Sequence, residues 1–374
     1  MNKTKTANDS DFDKLMDSYA NKDINKFSKL IDQGVNINCL NNNNESFVSR
    51  MLRQEYNSVM DEFLSILLKN NISLKQIGIE QSLLAIVIHY HNNTSCLEKL
   101  LKNKINIDDF GVYRFSMSKT QLRYQPAIFH AISKEDDGII DLLLKYNPDL
   151  NIENNDGETP LHFLLQKRYN FTNQNIALLF DKLLKNGADP NILGPYGNTL
   201  IHYLASCEHG YDMFEFLFNN KHNININAKN KDGDTALSLA VKTKNILAVK
   251  FLIKKGADIN IRYWDKFTVV MLAVNIDDIE ILNYILKQSP DLSIVNDDGD
   301  NILHLLAKKI NKQNNKIHKK YFDQISKLHP ELLARKINKQ DSKTHQKYFD
   351  QISKLHPELL NIKNFRGKLP CDLL

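Results

Sequence analysis

Histidine offers the most chemistry in this sequence, with twelve of them spread over 374 residues. An imidazole can ligate zinc, move protons or brace a helix end, and its neighbours decide which. His89 and His91 form an H-x-H pair, but no cysteine or carboxylate stands beside them at a zinc-site spacing. His329 and His356 precede prolines and read as turn residues. The cluster Asn296-Asp-Asp-Gly-Asp300 invites a calcium loop. Setting Gly299 at loop position six puts Ile294 and Leu305 at positions one and twelve, where oxygen ligands are required, so that reading fails. Cys39, Cys96, Cys207 and Cys371 are far apart, with no C-x-x-C pair, and read as buried small apolar residues. No phosphate-binding glycine loop, nucleophile elbow or H-E-x-x-H occurs. The expectation is a protein that is not an enzyme and uses no cofactor and no metal.

The remaining histidines lead to the elements that position them. His162, His202 and His304 share one station of a motif that recurs along the chain. It reads Asp156-Gly-Glu-Thr-Pro-Leu-His-Phe-Leu-Leu165, Tyr196-Gly-Asn-Thr-Leu-Ile-His-Tyr-Leu-Ala205, Asp232-Gly-Asp-Thr-Ala-Leu-Ser-Leu-Ala240, Asp265-Lys-Phe-Thr-Val-Val-Met-Leu-Ala273 and Asp298-Gly-Asp-Asn-Ile-Leu-His-Leu-Leu-Ala307. Its fourth residue falls at Thr159, Thr199, Thr235, Thr268 and Asn301, with weaker copies at Pro126, Ser82 and Ser46. A second motif trails it: Gly34-Val-Asn-Ile-Asn38, Asn147-Pro-Asp-Leu-Asn151, Gly187-Ala-Asp-Pro-Asn191, Gly256-Ala-Asp-Ile-Asn260 and Ser289-Pro-Asp-Leu-Ser293. Between them lie stretches such as Leu247-Ala-Val-Lys-Phe-Leu-Ile253, apolar at helical spacing. Threonine caps a helix, and Pro160 occupies its first turn, where a missing N–H costs nothing. Gly187 and Gly256 end the second helix in a left-handed conformation, and Asp-Gly turns the chain back.

Two motifs in phase at spacings of 33 to 44 residues resemble the ankyrin repeat, from about Phe12 to the C-terminus. The resemblance implies an all-α repeat solenoid, an ankyrin-repeat array of helix-turn-helix units joined by β-hairpin loops. It also implies that His162, His202 and His304 anchor helix starts through backbone hydrogen bonds. Each helix pair has an apolar face it cannot bury alone, so neighbours must stack.

Four regions are expected: a disordered N-terminus at 1–11, divergent repeats at 12–110, repeats closer to consensus at 111–308, and a basic region at 309–374. Lys266 replaces the turn glycine near Trp264, which predicts a distorted or different turn there. A hairpin insertion spans 111–125, and residues 167–175 lengthen the loop between paired helices. In the basic region Tyr321–Leu333 recurs unchanged as Tyr348–Leu360, 27 residues on. One copy is surplus to a helix pair and reads as a tandem insertion, followed by a truncated closing repeat through Pro370.

Function follows from the resemblance: a non-catalytic scaffold that binds a protein through hairpin tips and the concave helix face. The residues expected at that surface are Asn154, Asn155, Asn230, Lys231, Tyr263, Trp264, Asn296 and Asp297, with Tyr113, Arg114, Phe115, Arg123 and Tyr124 of the inserted finger. Abundant Lys, Asn and Ile resemble the composition of AT-rich genomes, so the partner is expected to be a eukaryotic host protein met by an intracellular microbe. The alternative starts from charge. From Asn301 onward 16 Lys and Arg face 6 Asp and Glu, a surplus that could attach to nucleic acid or an anionic membrane surface. The first residues show no secretory signal, and the longest apolar run, Leu83 to Ile88, is too short to span a bilayer. A monomer made in a cytosol is expected; non-classical secretion would leave no mark in the sequence.

Overall fold

The structure is a computed structural model that describes residues 7–43, 45–54, 57–74, 82–90, 94–114, 122–166, 173–207, 211–219, 223–263, 266–313 and 316–328. The chain divides into two units, Met1–Pro195 and Tyr196–Leu374. The second copy of the duplicated segment, the closing repeat, Trp264 and Phe115 lie outside the described residues.

Unit 1 stacks five helix pairs: α1 (Ala7–Ala20) with α2 (Ile24–Asp32), α3 (Phe47–Leu52) with α4 (Ser58–Lys69), α5 (Leu83–Tyr90) with α6 (Thr94–Lys102), α7 (Ala127–Lys134) with α8 (Asp137–Lys145), and α9 (Pro160–Gln166) with α10 (Asn173–Lys185). Unit 2 stacks four: α11 (Leu200–Ala205) with α12 (Tyr211–Asn219), α13 (Ala236–Lys242) with α14 (Ile246–Lys254), α15 (Val269–Asn275) with α16 (Ile279–Leu286), and α17 (Ile302–Gln313) with α18 (Lys316–Leu328). First helices pack on first helices within each unit, so α7 touches α5 and α9, and α13 touches α11 and α15. They bury nearly every residue, as in Ala127 to Ile132 of α7 and Val269 to Val274 of α15. Helix α1 starts inside the stretch expected to be disordered, and from Phe12 on it contributes core residues, with Leu15 and Ser18 fully buried.

The helix starts follow the capping logic of the sequence. Ser46 accepts from the Ser49 amide, and Thr235 forms a reciprocal capping box with Ser238. Second helices are capped by Asp23, Asn57, Asp136, Asn245 and Asp278, each accepting the amide three residues on.

Repeats are also stitched by a side-chain ladder. The Asp of the trailing motif accepts from the amide two residues later, as Asp149 does from Asn151 and Asp258 from Asn260. That next residue then accepts from the following repeat: Asp189 N–H donates to Asn151 Oδ1 at 2.7 Å, and Asp291 N–H to Asn260 Oδ1 at 2.8 Å. The alternation of Asp and Asn in the motif is thus one acceptor for its own turn and one for its neighbour.

Most connections that were expected to be β-hairpins are tight turns. In each, an asparagine amide donates to the carbonyl four residues on, as in Asn154 to Glu158, Asn230 to Asp234 and Asn296 to Asp300. Gly157, Gly233 and Gly299 sit in these turns at φ 74°, 75° and 78°. The turn around Lys266 matches them, against the expectation of a distorted or different one. Tyr263 N–H bonds Phe267 O and Lys266 N–H bonds Tyr263 O, the same pair of bonds, and Lys266 itself takes φ 57°. Hydrogen bonding outweighs the steric preference of a non-glycine residue at that position. The one two-stranded sheet among the described residues is the inserted finger, where β1 (Gly111–Arg114) pairs antiparallel with β2 (Leu122–Gln125).

Candidate protein-binding surface

The finger is anchored at its base by buried polar groups. Gly111 pairs with Gln125 across the strands, and a Cβ on Gly111 would lie 2.6 Å from the Ser82 amide nitrogen, so only glycine lets the strand approach α5. Gln125 is buried, and its Nε2 lies 3.4 Å from His130 Nδ1. His130 Nδ1 also meets His89 Nε2 at 2.9 Å, with the rings edge to face. Burial lowers both imidazoles, His89 to about 4 and His130 to about 3, with Lys134 adding to the effect at His89 and His89 to that at His130. The pair is therefore neutral at pH 7, and it cross-links α5, α7 and the finger's root. Of the H-x-H pair of the sequence, His91 lies outside the described residues, and His89 meets a residue 41 positions away. Register sets Tyr113 opposite Arg123, Val112 opposite Tyr124 and Arg114 opposite Leu122.

The turn asparagines have a different role from the one their position suggested. Asn154 is buried, accepts from the Asp156 and Glu158 amides and donates to the Glu158 carboxylate at 2.9 Å. Asn230 repeats the two amide bonds and donates to Asn198 Oδ1. Asn296 is buried and accepts from the Asp300 amide. These three side chains form the turns. Their neighbours Asn155, Lys231 and Asp297 are exposed, and Asp297 carries an exposed ion pair with Lys266 at 2.6 Å.

Tyr263 is half-buried, with Lys242 Nζ 5.4 Å from its ring centroid. Lys242 in turn grips both oxygens of buried Asp234, at 2.6 and 2.7 Å, and Ser238 donates to the same carboxylate. His202 fixes the adjoining turn. Its Nδ1 accepts from the Thr199 amide at 3.2 Å, leaving Nε2 to donate to the Asp234 carbonyl at 3.1 Å. Burial lowers the pKa of His202, which favours this neutral form. His304 Nδ1 likewise accepts from the Asn301 amide, at 3.3 Å, and His162 Nδ1 lies 2.8 Å from the Thr159 hydroxyl. This set of groups fixes the tips, and its serine, Ser238, is fully buried.

One tip residue was missed in the sequence. Tyr196 is 74% exposed and takes φ 60°, while its carbonyl accepts from the Lys231 amide at 3.0 Å. It stands where other copies of the motif carry Asp156, Asp232 and Asp298, and that exchange of an aspartate for an aromatic was the available signal. Open grooves occur between second helices, one of about 400 Å³ lined by Asp137, Leu178, Asp181 and Lys182, but no polar groups converge on a point there. Among the described residues no three His, Cys, Asp or Glu side chains gather as a metal site, and no helix is long and apolar enough to cross a membrane.

Against known proteins, the family model for ankyrin repeats, in three copies, matches residues 170–263. The helix pairs, turns and capping histidines extend the same pattern to both sides of that match. The chain carries ankyrin repeats. An ankyrin repeat protein of Rickettsia felis is 34% identical over 132 residues, covering 35% of this chain and 41% of that protein. One of Rickettsia bellii is 36% identical over 83 residues, covering 22% and 43%. The ankyrin repeat domain of Bcl-3, a member of the IkappaB family, overlays with a TM-score of 0.43 at 21% identity, over 50% of this chain and 85% of that one. The match thus spans less than half the length of either Rickettsia relative.

Proposed function

We propose that this ankyrin-repeat chain is a non-catalytic scaffold that binds a folded protein through its exposed turn tips. The observation that carries the reading is Tyr196, a large aromatic held out into solvent on a turn whose backbone is pinned to the next one by Lys231. A pre-ordered aromatic loses little freedom on binding, and such residues dominate interface energetics. Lys231, Asn155, Tyr263, Trp264 and Asp297 are the further tip contacts, with Tyr113, Arg114, Phe115, Arg123 and Tyr124 of the finger as a contact set on unit 1. Asn154, Asn230 and Asn296 serve by shaping the tips. The Rickettsia relatives and the AT-rich composition support a host-interacting protein of an intracellular microbe, with a eukaryotic protein as partner.

The test is affinity capture from a eukaryotic lysate with the full chain, beside Tyr196→Ala, Trp264→Ala and a finger shortened between Arg114 and Leu122. Loss of a stoichiometric protein by at least one variant, with affinity down roughly thirtyfold for a hot-spot residue, is the expected result. Undiminished capture by all three would remove the tips and the finger from the site. Capture that collapses in salt and with Lys319→Glu and Lys320→Glu would instead favour electrostatic attachment through the basic region.

A further inference from the structure

The turns at 228–234 and 261–267 of unit 2 hold cations that carboxylates do not balance. Lys229, Lys231 and Arg262 are exposed, and none of the three forms an ion pair among the described residues. Their neighbours do pair: Lys242 is committed to the buried carboxylate of Asp234, and Lys266 to Asp297. Asp232 is then the one exposed carboxylate among the described residues of these two turns. The surrounding sequence is not basic. Residues 196–300 carry 11 Lys and Arg against 14 Asp and Glu, so the cations gather at these tips against the local balance.

Hydrogen bonds and packing hold these residues together with Tyr196. The Tyr196 carbonyl accepts from the Lys231 amide at 3.0 Å, and Asn230 donates to Asn198 Oδ1 at 2.8 Å. The Lys231 stem lies so close over Gly197 that a Cβ there would come 3.0 Å from its Cγ. Lys229 Nζ donates to the Arg262 carbonyl at 2.7 Å. One cation therefore sits beside the exposed Tyr196, and a second is fixed on the residue that bears the third. Like charges held together gain when an anion joins them, and the arginine fork takes a carboxylate by two parallel bonds.

We propose that these tips bind an acidic segment of the partner protein, with its carboxylates on Lys229, Lys231 and Arg262 and an apolar side chain against Tyr196. This rests on the tips being the binding surface and adds the chemistry of what they take. A polyanion fits them less well. The backbone of a nucleic acid bears a charge at every nucleotide, and it would meet Asp232 among the cations and the exposed Asp297 and Asp298 on the next turn. A short acidic stretch, charged at a few positions, avoids both.

The experiment pans a random peptide library against the full chain and measures the recovered peptides, beside a single-stranded oligonucleotide, by fluorescence anisotropy. The peptides should be enriched in Asp and Glu next to a Leu, Phe or Trp. Tyr196→Ala should weaken their binding roughly thirtyfold. Lys231→Gln combined with Arg262→Gln should weaken it roughly tenfold. Glutamine keeps much of the stem that packs on Gly197, so thermal denaturation should show the fold retained. Lys254→Glu, a charge reversal at an exposed position of α14, should change binding by less than about twofold. Peptides that lack acidic enrichment yet depend on Tyr196 would overturn the acidic partner and leave the tips as the surface. Acidic peptides indifferent to every tip substitution, or no recovered peptide at all, would overturn both. A loss with Lys254→Glu as large as that with the glutamine pair would overturn the local site in favour of net charge. An oligonucleotide bound more tightly than any peptide, with the same dependence on Lys231 and Arg262, would assign the cations to nucleic acid and overturn the proposal.

Discussion

The first two repeats of unit 1 and the α13–α16 repeats of unit 2 reach the same helix-pair geometry with different chemistry. In unit 1 Phe12, Tyr19, Phe27, Phe47 and Phe63 converge, with Phe27 and Phe63 centroids 4.6 Å apart and Tyr19 edge-on to Phe63 at 5.1 Å. In unit 2 the first helices carry small aliphatic residues, and order comes from caps and turns: the Thr235–Ser238 box, the Asn230 turn, the Asp234–Lys242 pair. Yet the divergent repeat keeps the same bonds under other letters. Asn41 N–H donates to Glu45 O, Asn41 Oδ1 accepts the Glu45 amide, and Arg53 pairs with Glu45 at 2.6 Å, eight residues on, as Lys242 does with Asp234. The repeat tolerates loss of its consensus residues as long as an asparagine, an acid and a cation keep their offsets and the stack is filled.

The sharpest way to break that comparison is to empty the aromatic cluster. Phe47 is fully buried at its centre, so Phe47→Ala should cost about 3–5 kcal/mol in unit 1. Hydrogen exchange should show the loss concentrated in α1 to α4, with the α13–α16 amides unchanged, because stacked repeats couple chiefly to their neighbours. Equal loss in both regions would mean that they do not differ in the way described.

A second test uses acid. His89 and His130 have folded pKa values depressed to about 4 and about 3, below the ordinary value of 6.5, so the folded state binds fewer protons than the unfolded one. Their contribution is complete above about pH 6.5 and is lost as pH falls from there towards 4 and then 3. By pH 5 buried His130 should cost about 2 kcal/mol, with less from the half-buried His89. Urea denaturation at pH 7 and pH 5 should show this in unit 1, and His130→Gln should flatten the slope. A slope unchanged by that substitution would assign the acid sensitivity to other groups.

Much of the fold is legible in the sequence, and the failures have physical causes. Period, helix pairing, Thr and Asn caps and the capping histidines follow from local sequence, because each depends on contacts within a few residues. The His89–His130 pair is not legible, since it depends on stacking between repeats 41 residues apart. At Lys266 the sequence misleads because a missing glycine suggests a missing turn, whereas the backbone bonds from Tyr263 hold it. Asn154, Asn230 and Asn296 do fall at the tips, but their side chains are consumed by the turn, which a position along the chain cannot reveal. Tyr196 is legible only as a departure from the motif's aspartate.

Caps give a smaller and more even effect across the comparison. Thr235→Ala removes an acceptor used by the Ser238 amide and should cost about 1 kcal/mol; Ser46→Ala, which removes the equivalent bond to Ser49, should cost about the same. Similar losses by thermal denaturation would show that the divergent and consensus repeats depend on the same cap, and a silent Ser46→Ala would show that packing alone holds α3.

The finest test concerns the ladder. Asn260 accepts from the Asp291 amide of the next repeat, on an exposed edge, so Asn260→Ala should cost about 0.5–1 kcal/mol. Asn260→Asp keeps the accepting oxygen and should lose less, apart from the added charge facing Asp291. In unit 1 Asn38 makes the same bond to the Ser73 amide at 2.8 Å, although the motif around it has drifted. Asn38→Ala should therefore cost about what Asn260→Ala costs. Agreement within a few tenths of a kcal/mol in urea denaturation would make the ladder a common stitch of both regions. A null effect at Asn38 beside a clear one at Asn260 would mean that the aromatic stack has relieved the divergent repeats of the need for it.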